Sequence, residues 1–282
     1  MSSGVPVLEI GGSHVTAAVV RPGEWVVDGV HRAKLDSKLP AGEIVAQLVA
    51  AARQLPLASG LAVAIPGPFD FEAGVAWYRR DKFASLYGHD LGQSLRDELG
   101  LDRVVFLNDA EAFTVGEWGA GVLRGHDRCA GITVGTGIGS AFLDDGRAVR
   151  TGDEVPPGGE LYRTEYEGRE IEEWISARAI LRSYFDRVGA EEDGIGVKEI
   201  ADRARGGEVV ARDALLDAFG ALSAALVPWL ERFGATKVVL GGSIAGAFDL
   251  VASVFPFDVA PTEDAEHSAL LGAAAHYERS TG

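Results

Sequence analysis

Residues Ala130 to Leu143 read AGITVGTGIGSAFL: an apolar run, a glycine-dense turn GTGIGS (Gly135 to Ser140), and a second apolar run. The β-branched Ile132, Thr133 and Val134 favour a strand before the turn, and Ser140 to Leu143 can form another after it. Gly135, Gly137 and Gly139 alternate, so the turn exposes backbone N–H groups with no side chains in the way. Such a turn serves either as an anion-binding nest or as a plain hairpin turn, for which glycine is the default residue. It is not the dinucleotide fingerprint G-x-G-x-x-G, because the spacing differs and a strand, not a helix, follows.

The same device stands near the start of the chain. Val5 to Ile10 reads as a strand, GGS (Gly11 to Ser13) turns it, and Val15 to Val20 returns, with Glu24 to His31 as a third strand. Strand, glycine turn, strand thus occurs around residue 11 and again around residue 137. This echo predicts a duplicated α/β fold with a cleft between the halves. The expected halves are residues 1–107 plus 268–282, the smaller, and residues 108–267, the larger.

The segments between fill in this frame. Ala41 to Leu55 carries apolar residues at helical spacing (Ile44, Leu48, Ala51, Ala52, Leu55), and Leu61 to Ile65 is a short buried-type strand stopped by Pro66-Gly67-Pro68. Phe69 to Gly88 is an irregular stretch rich in aromatic and charged residues, including Asp81 and Lys82; long loops of this kind in compact chains are often functional. A helix is expected over Leu91 to Leu99 and a strand over Val104 to Leu107. Asp109 then either caps the helix of Ala110 to Trp118 or, at the carboxyl end of a strand, accepts a hydroxyl proton. Glu9 is a surface carboxylate on a strand end or the holder of a metal-bound water.

Further on, helices are expected over Glu170 to Val188, Val197 to Ala204 and Val209 to Leu230, with Pro228 bending or ending the last. Lys237 to Leu240 is a strand running into Gly241-Gly242-Ser243, with a helix from about Ile244, a second anion contact. Leu270 to Tyr277, LLGAAAHY, is a small-residue helix suited to close packing.

Composition narrows the class. Of 282 residues, 47% are hydrophobic and 24% charged, ordinary values for a globular chain of about two domains. The formal charge of −16 argues against a nucleic-acid surface, which demands clustered Lys and Arg. No apolar run approaches a membrane span, and no signal-peptide pattern precedes the first strand; a cytoplasmic location is the expectation. The single cysteine, Cys129, excludes an intrachain disulfide and is read as a buried small hydrophobe. His14, His31, His89, His126, His267 and His276 show no metal-ligand spacing and are read as surface or packing residues, with no metal ligand assigned among the site residues.

Taken together, EIGGSH (Glu9 to His14), NDAEAFTVGE (Asn108 to Glu117), VGTGIGSAFLDDG (Val134 to Gly146), GGE (Gly158 to Glu160), EEWIS (Glu172 to Ser176), VVLGGSI (Val238 to Ile244) and LLGAAAH (Leu270 to His276) resemble the ROK family of sugar kinases and repressors. That family lies within the actin and hexokinase superfamily, whose domains are duplicated and ribonuclease H-like. The resemblance implies ATP- and Mg²⁺-dependent phosphorylation of a sugar hydroxyl. It implies that Asp109 is the base and that Asn108, Glu160 and Glu172 hold the sugar. Glu9, the turn Gly11, Gly12 and Ser13, and the turn Gly135, Thr136, Gly137 and Gly139 would serve the nucleotide phosphates and their metal. Gly241 and Gly242 would lie near the adenosine. Family members are often homodimers.

The departures are equally informative. Glu9 replaces the usual Asp. The family's Glu-x-Gly-His becomes Glu160-Leu161-Tyr162-Arg163, and its cysteine motif is replaced by the cysteine-free TEYEGREIEE (Thr164 to Glu173), so no structural zinc is expected. Asp81-Lys82-Phe83 stands where the family has a Pro-Asn-Leu sugar contact, which makes Asp81 and Lys82 substrate candidates. The expected acceptor is therefore a monosaccharide, an amino sugar or a C7-cyclitol. A non-catalytic sugar-sensing regulator is the alternative from another class.

Overall fold

Two five-stranded sheets organise the chain, and in each a glycine turn joins two antiparallel strands. The computed structural model describes residues 4–58 and 60–280. These divide into two compact units: residues 1–120 with 266–282, and residues 121–265.

In the first unit, β1 (Val5–Ile10), β2 (His14–Arg21) and β3 (Val26–Lys34) form an antiparallel meander, and α1 (Ala41–Ala52) leads to β4 (Gly60–Ile65). A small hairpin, β5 (Phe69–Asp70) and β6 (Val75–Ala76), precedes α2 (Leu91–Leu99), β7 (Arg103–Asn108) and α3 (Asp109–Ala120). The sheet order is β3-β2-β1-β4-β7, with β1, β4 and β7 parallel. β4, GLAVAI, is buried at every position, as an interior parallel strand must be. β3 is the opposite case: exposed, charged and at the edge, where Asp28, Arg32 and Lys34 discourage further pairing. Helix α2 has both its ends written in sequence. Asp90 accepts from the Gln93 N–H at 2.7 Å, and Gly100 closes the helix at φ 66°.

The second unit repeats the pattern. β8 (Arg128–Val134), β9 (Ile138–Asp144) and β10 (Arg147–Ala148) form the antiparallel part. A hairpin of β11 (Glu165–Tyr166) and β12 (Arg169–Glu170) leads to α4 (Ala177–Val188), α5 (Val197–Arg205) and α6 (Val209–Phe233), and then to β13 (Lys237–Gly241), α7 (Phe248–Val251) and β14 (Val259–Pro261). The sheet order, β10-β9-β8-β13-β14, mirrors that of the first unit, with β8, β13 and β14 parallel. This is the duplicated α/β architecture that the repeated glycine turns predict.

Three local expectations are corrected. Helix α4 begins at Ala177, because the Ser176 hydroxyl accepts from the Ala179 N–H and caps it there; Glu170 lies instead in β12. Helix α6 continues past Pro228 to Phe233, held by Leu226, Leu230 and Phe233 in the core, and ends at Gly234 with φ 69°. After Gly241-Gly242 the chain makes only a 3-10 turn, Ala245–Ala247, before the single turn of α7.

Helix α8 (Ala265–Arg279) packs on α3, from Glu266 onward within the first unit. A Cβ on Gly272 would lie 2.9 Å from Gly116 N, and one on Gly116 would lie 2.9 Å from the Ser268 Cα. The buried Ser268 hydroxyl also donates to Glu117 at 2.7 Å. Glycine therefore sets the approach of the two helices. Gly272→Ala should cost about 1–3 kcal/mol by forcing the helices apart; a denaturant midpoint shift will show it, and an unchanged midpoint would mean that the crossing is looser than the structure has it. Among the described residues no helix is long and apolar enough to cross a membrane.

Candidate active site

In each unit the candidate residues collect at the carboxyl ends of parallel strands, the place where open α/β sheets bind ligands. In the first unit, Glu9 of β1 pairs in register with Ala64 of β4, and Ala64 with Leu107 of β7. Glu9 near the end of β1 and Asn108 at the end of β7 thus flank β4 at one end of the sheet, with Asp109 following Asn108. In the second, Thr133 of β8 is level with Gly241 of β13, so the turns that follow these two strands are adjacent.

Asn108 and Asp109 divide the two roles that the sequence left open. Asn108 Oδ1 accepts from the N–H groups of Ala110 (3.0 Å) and Glu111 (3.2 Å), which makes Asn108 the principal cap of α3. Asp109 Oδ1 shares the Ala110 N–H at 2.9 Å. Although part of its surface is open, Asp109 is hemmed in by protein, and this desolvation pushes its pKa up to about 6, against the lowering effect of the backbone hydrogen bonds. A carboxylate of that basicity is a far better proton acceptor than a solvated aspartate. Nearby, the buried Tyr78 hydroxyl donates to the Pro66 carbonyl, and its own ionisation is pushed upward by burial and by the charge of Asp109.

The first glycine turn is braced from three sides. The Gly11 N–H donates to the His14 carbonyl (3.0 Å), the Leu35 N–H to the Ser13 carbonyl (3.0 Å), and the Ser37 hydroxyl to the Gly12 carbonyl (2.9 Å). The Phe83 N–H in turn donates to the Ser37 carbonyl at 2.8 Å, tying the Asp81–Phe83 loop to the turn. The exposed Lys82 side chain lies across Gly12, where a Cβ would stand 2.6 Å from its Cδ. Asp81 is exposed at φ 59°, within the same loop. Both substrate candidates of this loop thus sit beside the turn, Lys82 directly upon it.

In the second unit, GTGIGS is a tight β8–β9 hairpin: the Gly135 N–H donates to the Gly137 carbonyl at 2.9 Å. Glu172 Oε1 accepts from the Ile138 N–H at 2.7 Å and lies where any side chain on Gly137 would have to go. One of Glu172's oxygens is therefore spent on shaping the turn, a function that its spacing in the sequence did not reveal. Thr136 is at the tip, and Gly139 continues into β9 opposite Thr133. Gly242, at φ 86°, packs on β8, where a Cβ would be 2.8 Å from Val134 N. The Ile244 N–H donates to the Val134 carbonyl at 3.1 Å, so the Gly241-Gly242 turn and the GTGIGS turn are fastened together. Beside Gly242 opens a cavity of about 580 Å³, lined by Ala245, Phe248, Pro261 and Thr262 among others.

Glu160 is held in two ways. Its carboxylate pairs with Arg163 Nε at 2.6 Å, and its backbone is fixed by Ser140, whose buried hydroxyl donates to the Gly159 carbonyl (2.8 Å) and accepts from the Leu161 N–H (2.7 Å). The Ser140 bracket was missed in the sequence, although a serine closing a glycine turn is its one local sign. Burial pushes the Cys129 thiol up to about 12, in keeping with an inert core residue.

Among the described residues one group has the geometry of metal ligands: Glu9, His14 and Glu266. The sequence reading counted His14 as a surface or packing histidine and assigned no metal ligand. The first turn of α8 brings Glu266 to within 3.1 Å of His14 Nε2 at the end of β1 and β2.

The fold and these turns define an α/β chain of the actin and hexokinase type. The chain belongs to the ROK family, whose model matches residues 6–277. It is 29% identical over 210 residues to the glucokinase of Thermotoga maritima, an alignment covering 66% of this chain and 64% of that protein. The matched span thus falls just short of two thirds of that relative's length. Among solved structures, a ROK family glucokinase from Streptomyces griseus in complex with glucose and AMPPNP superposes with a TM-score of 0.79 at 21% identity, covering 97% of this chain and 98% of that one. The ROK hexokinase from Thermus thermophilus gives 0.79 at 21% identity, covering 99% of both chains.

Proposed function

We propose that this chain is an ATP-dependent kinase that phosphorylates a hydroxyl of a monosaccharide or a sugar-like polyol. The observation that supports this most is Asp109: a carboxylate of raised pKa directly after parallel strand β7, in the same sheet as the β1–β2 glycine turn.

The residues present fit a nucleotide. The cavity beside Gly242 is of nucleoside size, and the two glycine turns next to it are fastened together through the Ile244 N–H and the Val134 carbonyl. In this reading the adenosine lies beside Gly241 and Gly242. By the family resemblance, Gly135, Thr136, Gly137 and Gly139 of the second unit would hold phosphates, Gly11, Gly12 and Ser13 of the first unit carry the same expectation, and Glu9 would serve the accompanying Mg²⁺. When bound, Mg²⁺-ATP supplies the phosphoryl group and neutralises its charge.

The chain's own residues position and deprotonate the acceptor. Asp109 takes the proton of the attacking hydroxyl. Asn108, Glu160, the second oxygen of Glu172, Asp81 and Lys82 pair the remaining hydroxyls, which cost free energy if buried alone. Arg163, occupying the position of the family's His, fixes the Glu160 carboxylate and so bears on which acceptor fits.

Glu172→Ala removes the charged hydrogen bond that holds the Ile138 N–H, and it should raise KM for ATP about tenfold with a smaller effect on the fold. An unchanged KM would detach Glu172 from the nucleotide turn. The function itself is tested by an ATP-coupled assay across hexoses, amino sugars, N-acyl sugars and cyclitols. The expected result is turnover with one acceptor class. Calorimetric binding of nucleotide without product from any acceptor would favour the sugar-sensing regulator instead.

A further inference from the structure

The sheet register of the first unit sets out a row of polar side chains on one face. Glu9 of β1 lies opposite Thr16 of β2, and Thr16 lies opposite Arg32 of β3. His14, two residues before Thr16, shares that face, because side chains alternate along a strand. Glu9 and His14 are thus diagonal cross-strand neighbours. The first turn of α8 places Glu266 over the row. Glu266 Oε2 is 3.1 Å from His14 Nε2, and Glu9 Oε2 is 3.6 Å from the same nitrogen. All three ligand atoms lie within 4.8 Å of one another.

Two further observations point to a ligand among them. Glu9 has a side chain only 12% exposed, and its Oε2 is buried with no hydrogen-bond partner, although it is aimed at the imidazole. A buried carboxylate oxygen in that condition calls for a cation. Glu266, by contrast, is oriented by groups behind it. The fully buried Thr16 hydroxyl donates to its Oε1 at 2.8 Å, and Arg32 Nη2 stands 3.4 Å from its Oε2. Such hydrogen bonding from behind is how proteins aim metal-ligating carboxylates. Glu266 and Asp109 are the carboxylates that act on Glu9 at this corner, and Arg32 is the cation that opposes them.

We infer that Glu9, His14 and Glu266 form a binding site for a first-row divalent metal ion, occupied without nucleotide. Ligand atoms about 2.0–2.2 Å from a shared ion stand roughly 3–3.5 Å apart, close to the separations found from His14 Nε2. One imidazole and two carboxylates suit Mn²⁺, Co²⁺ or Zn²⁺ more than Mg²⁺, which prefers oxygen ligands and keeps most of its water. The site stands on three side chains of one unit, so it holds whether or not the chain is a kinase.

Mn²⁺ added to the nucleotide-free protein tests it, followed by electron paramagnetic resonance. The expected result is one Mn²⁺ bound per chain at micromolar concentrations, with electron spin echo modulation from an imidazole nitrogen. In His14→Gln that modulation should vanish and the affinity should fall at least about tenfold; in Glu266→Gln and in Thr16→Val the modulation should persist with affinity about tenfold lower. Binding no tighter than millimolar, or nitrogen modulation that survives His14→Gln, would overturn the inference. If His14→Gln fails to fold, the wild-type modulation and the Thr16→Val affinity decide the matter in the same way.

Discussion

Asp109→Asn should lower kcat by about a thousandfold while leaving the fold intact, since a positioned general base contributes on the order of 10²–10⁴. The amide keeps the shape and can still accept from the Ala110 N–H, so the loss falls on proton transfer. Wild-type kcat/KM should rise with pH through about 6, as Asp109 becomes the carboxylate that the reaction needs, and then level off. The variant's residual activity should lack that step. Stability should move the other way. The folded chain holds the Asp109 proton up to about pH 6, whereas an aspartate at its ordinary value of 3.8 releases it earlier. Folding free energy is therefore lost progressively from about pH 3.8 to 6, and above that the cost is constant at about 3 kcal/mol or less. Asp109→Asn escapes this cost and should be the more stable protein at pH 7.5 and no more stable near pH 3. A variant that is both nearly fully active and less stable at neutral pH would remove Asp109 from the centre of the account.

Gly242→Ala carries the second large effect. At φ 86° an alanine is strained, and its Cβ would meet the backbone of Val134 in an interior strand that has little room to give. Overpacking and strain together should cost about 2–4 kcal/mol. The turn is also fastened to GTGIGS through Ile244, so its displacement should weaken nucleotide binding more than tenfold. Gly220→Ala is the control. Gly220 lies inside α6 with open space around its Cβ position, and there alanine should stabilise by about 0.5–1 kcal/mol through its better helix propensity. Equal unfolding midpoints for the two variants would show that the Gly242 turn does not constrain the second unit.

The contrast between these glycines explains what could be read from the sequence. GTGIGS and GGS announced themselves because glycine clusters between β-branched runs have few uses, and their repetition gave the duplicated α/β plan. Asn108 and Asp109 were legible as residues closing a strand and opening a helix. Which of them caps and which is left with a raised pKa depends on two backbone N–H groups and on the surrounding protein, neither of which is written locally. The short pairs β5–β6 and β11–β12 and the strand β14 carry too few residues to show a period, and only their partners make them strands. Helix α6 ran through Pro228 because burial of Leu230 and Phe233 outweighs one lost hydrogen bond.

The departures from the family pattern came out unevenly. Arg163 was visible as a replacement, but its ion pair with Glu160 was not. Glu172 stands out in the sequence only through the family resemblance, as a sugar contact, and only the fold shows it gripping the Ile138 N–H. The grouping of His14 with Glu9 and Glu266 has no local sign in the sequence. Glu266 lies some 250 residues further along the chain, and no spacing rule reaches that far.

The central claim is that Asp109 deprotonates an acceptor hydroxyl that then receives the phosphoryl group of ATP. The most direct measurement is ³¹P NMR of the protein with Mg²⁺-ATP and each member of an acceptor panel of hexoses, amino sugars and cyclitols. The account predicts a phosphate monoester growing in step with ADP for one acceptor class, and no such signal above background on the same timescale for Asp109→Asn. ADP and ester formed at equal rates by both proteins, or nucleotide bound with no ester from any acceptor, would contradict it.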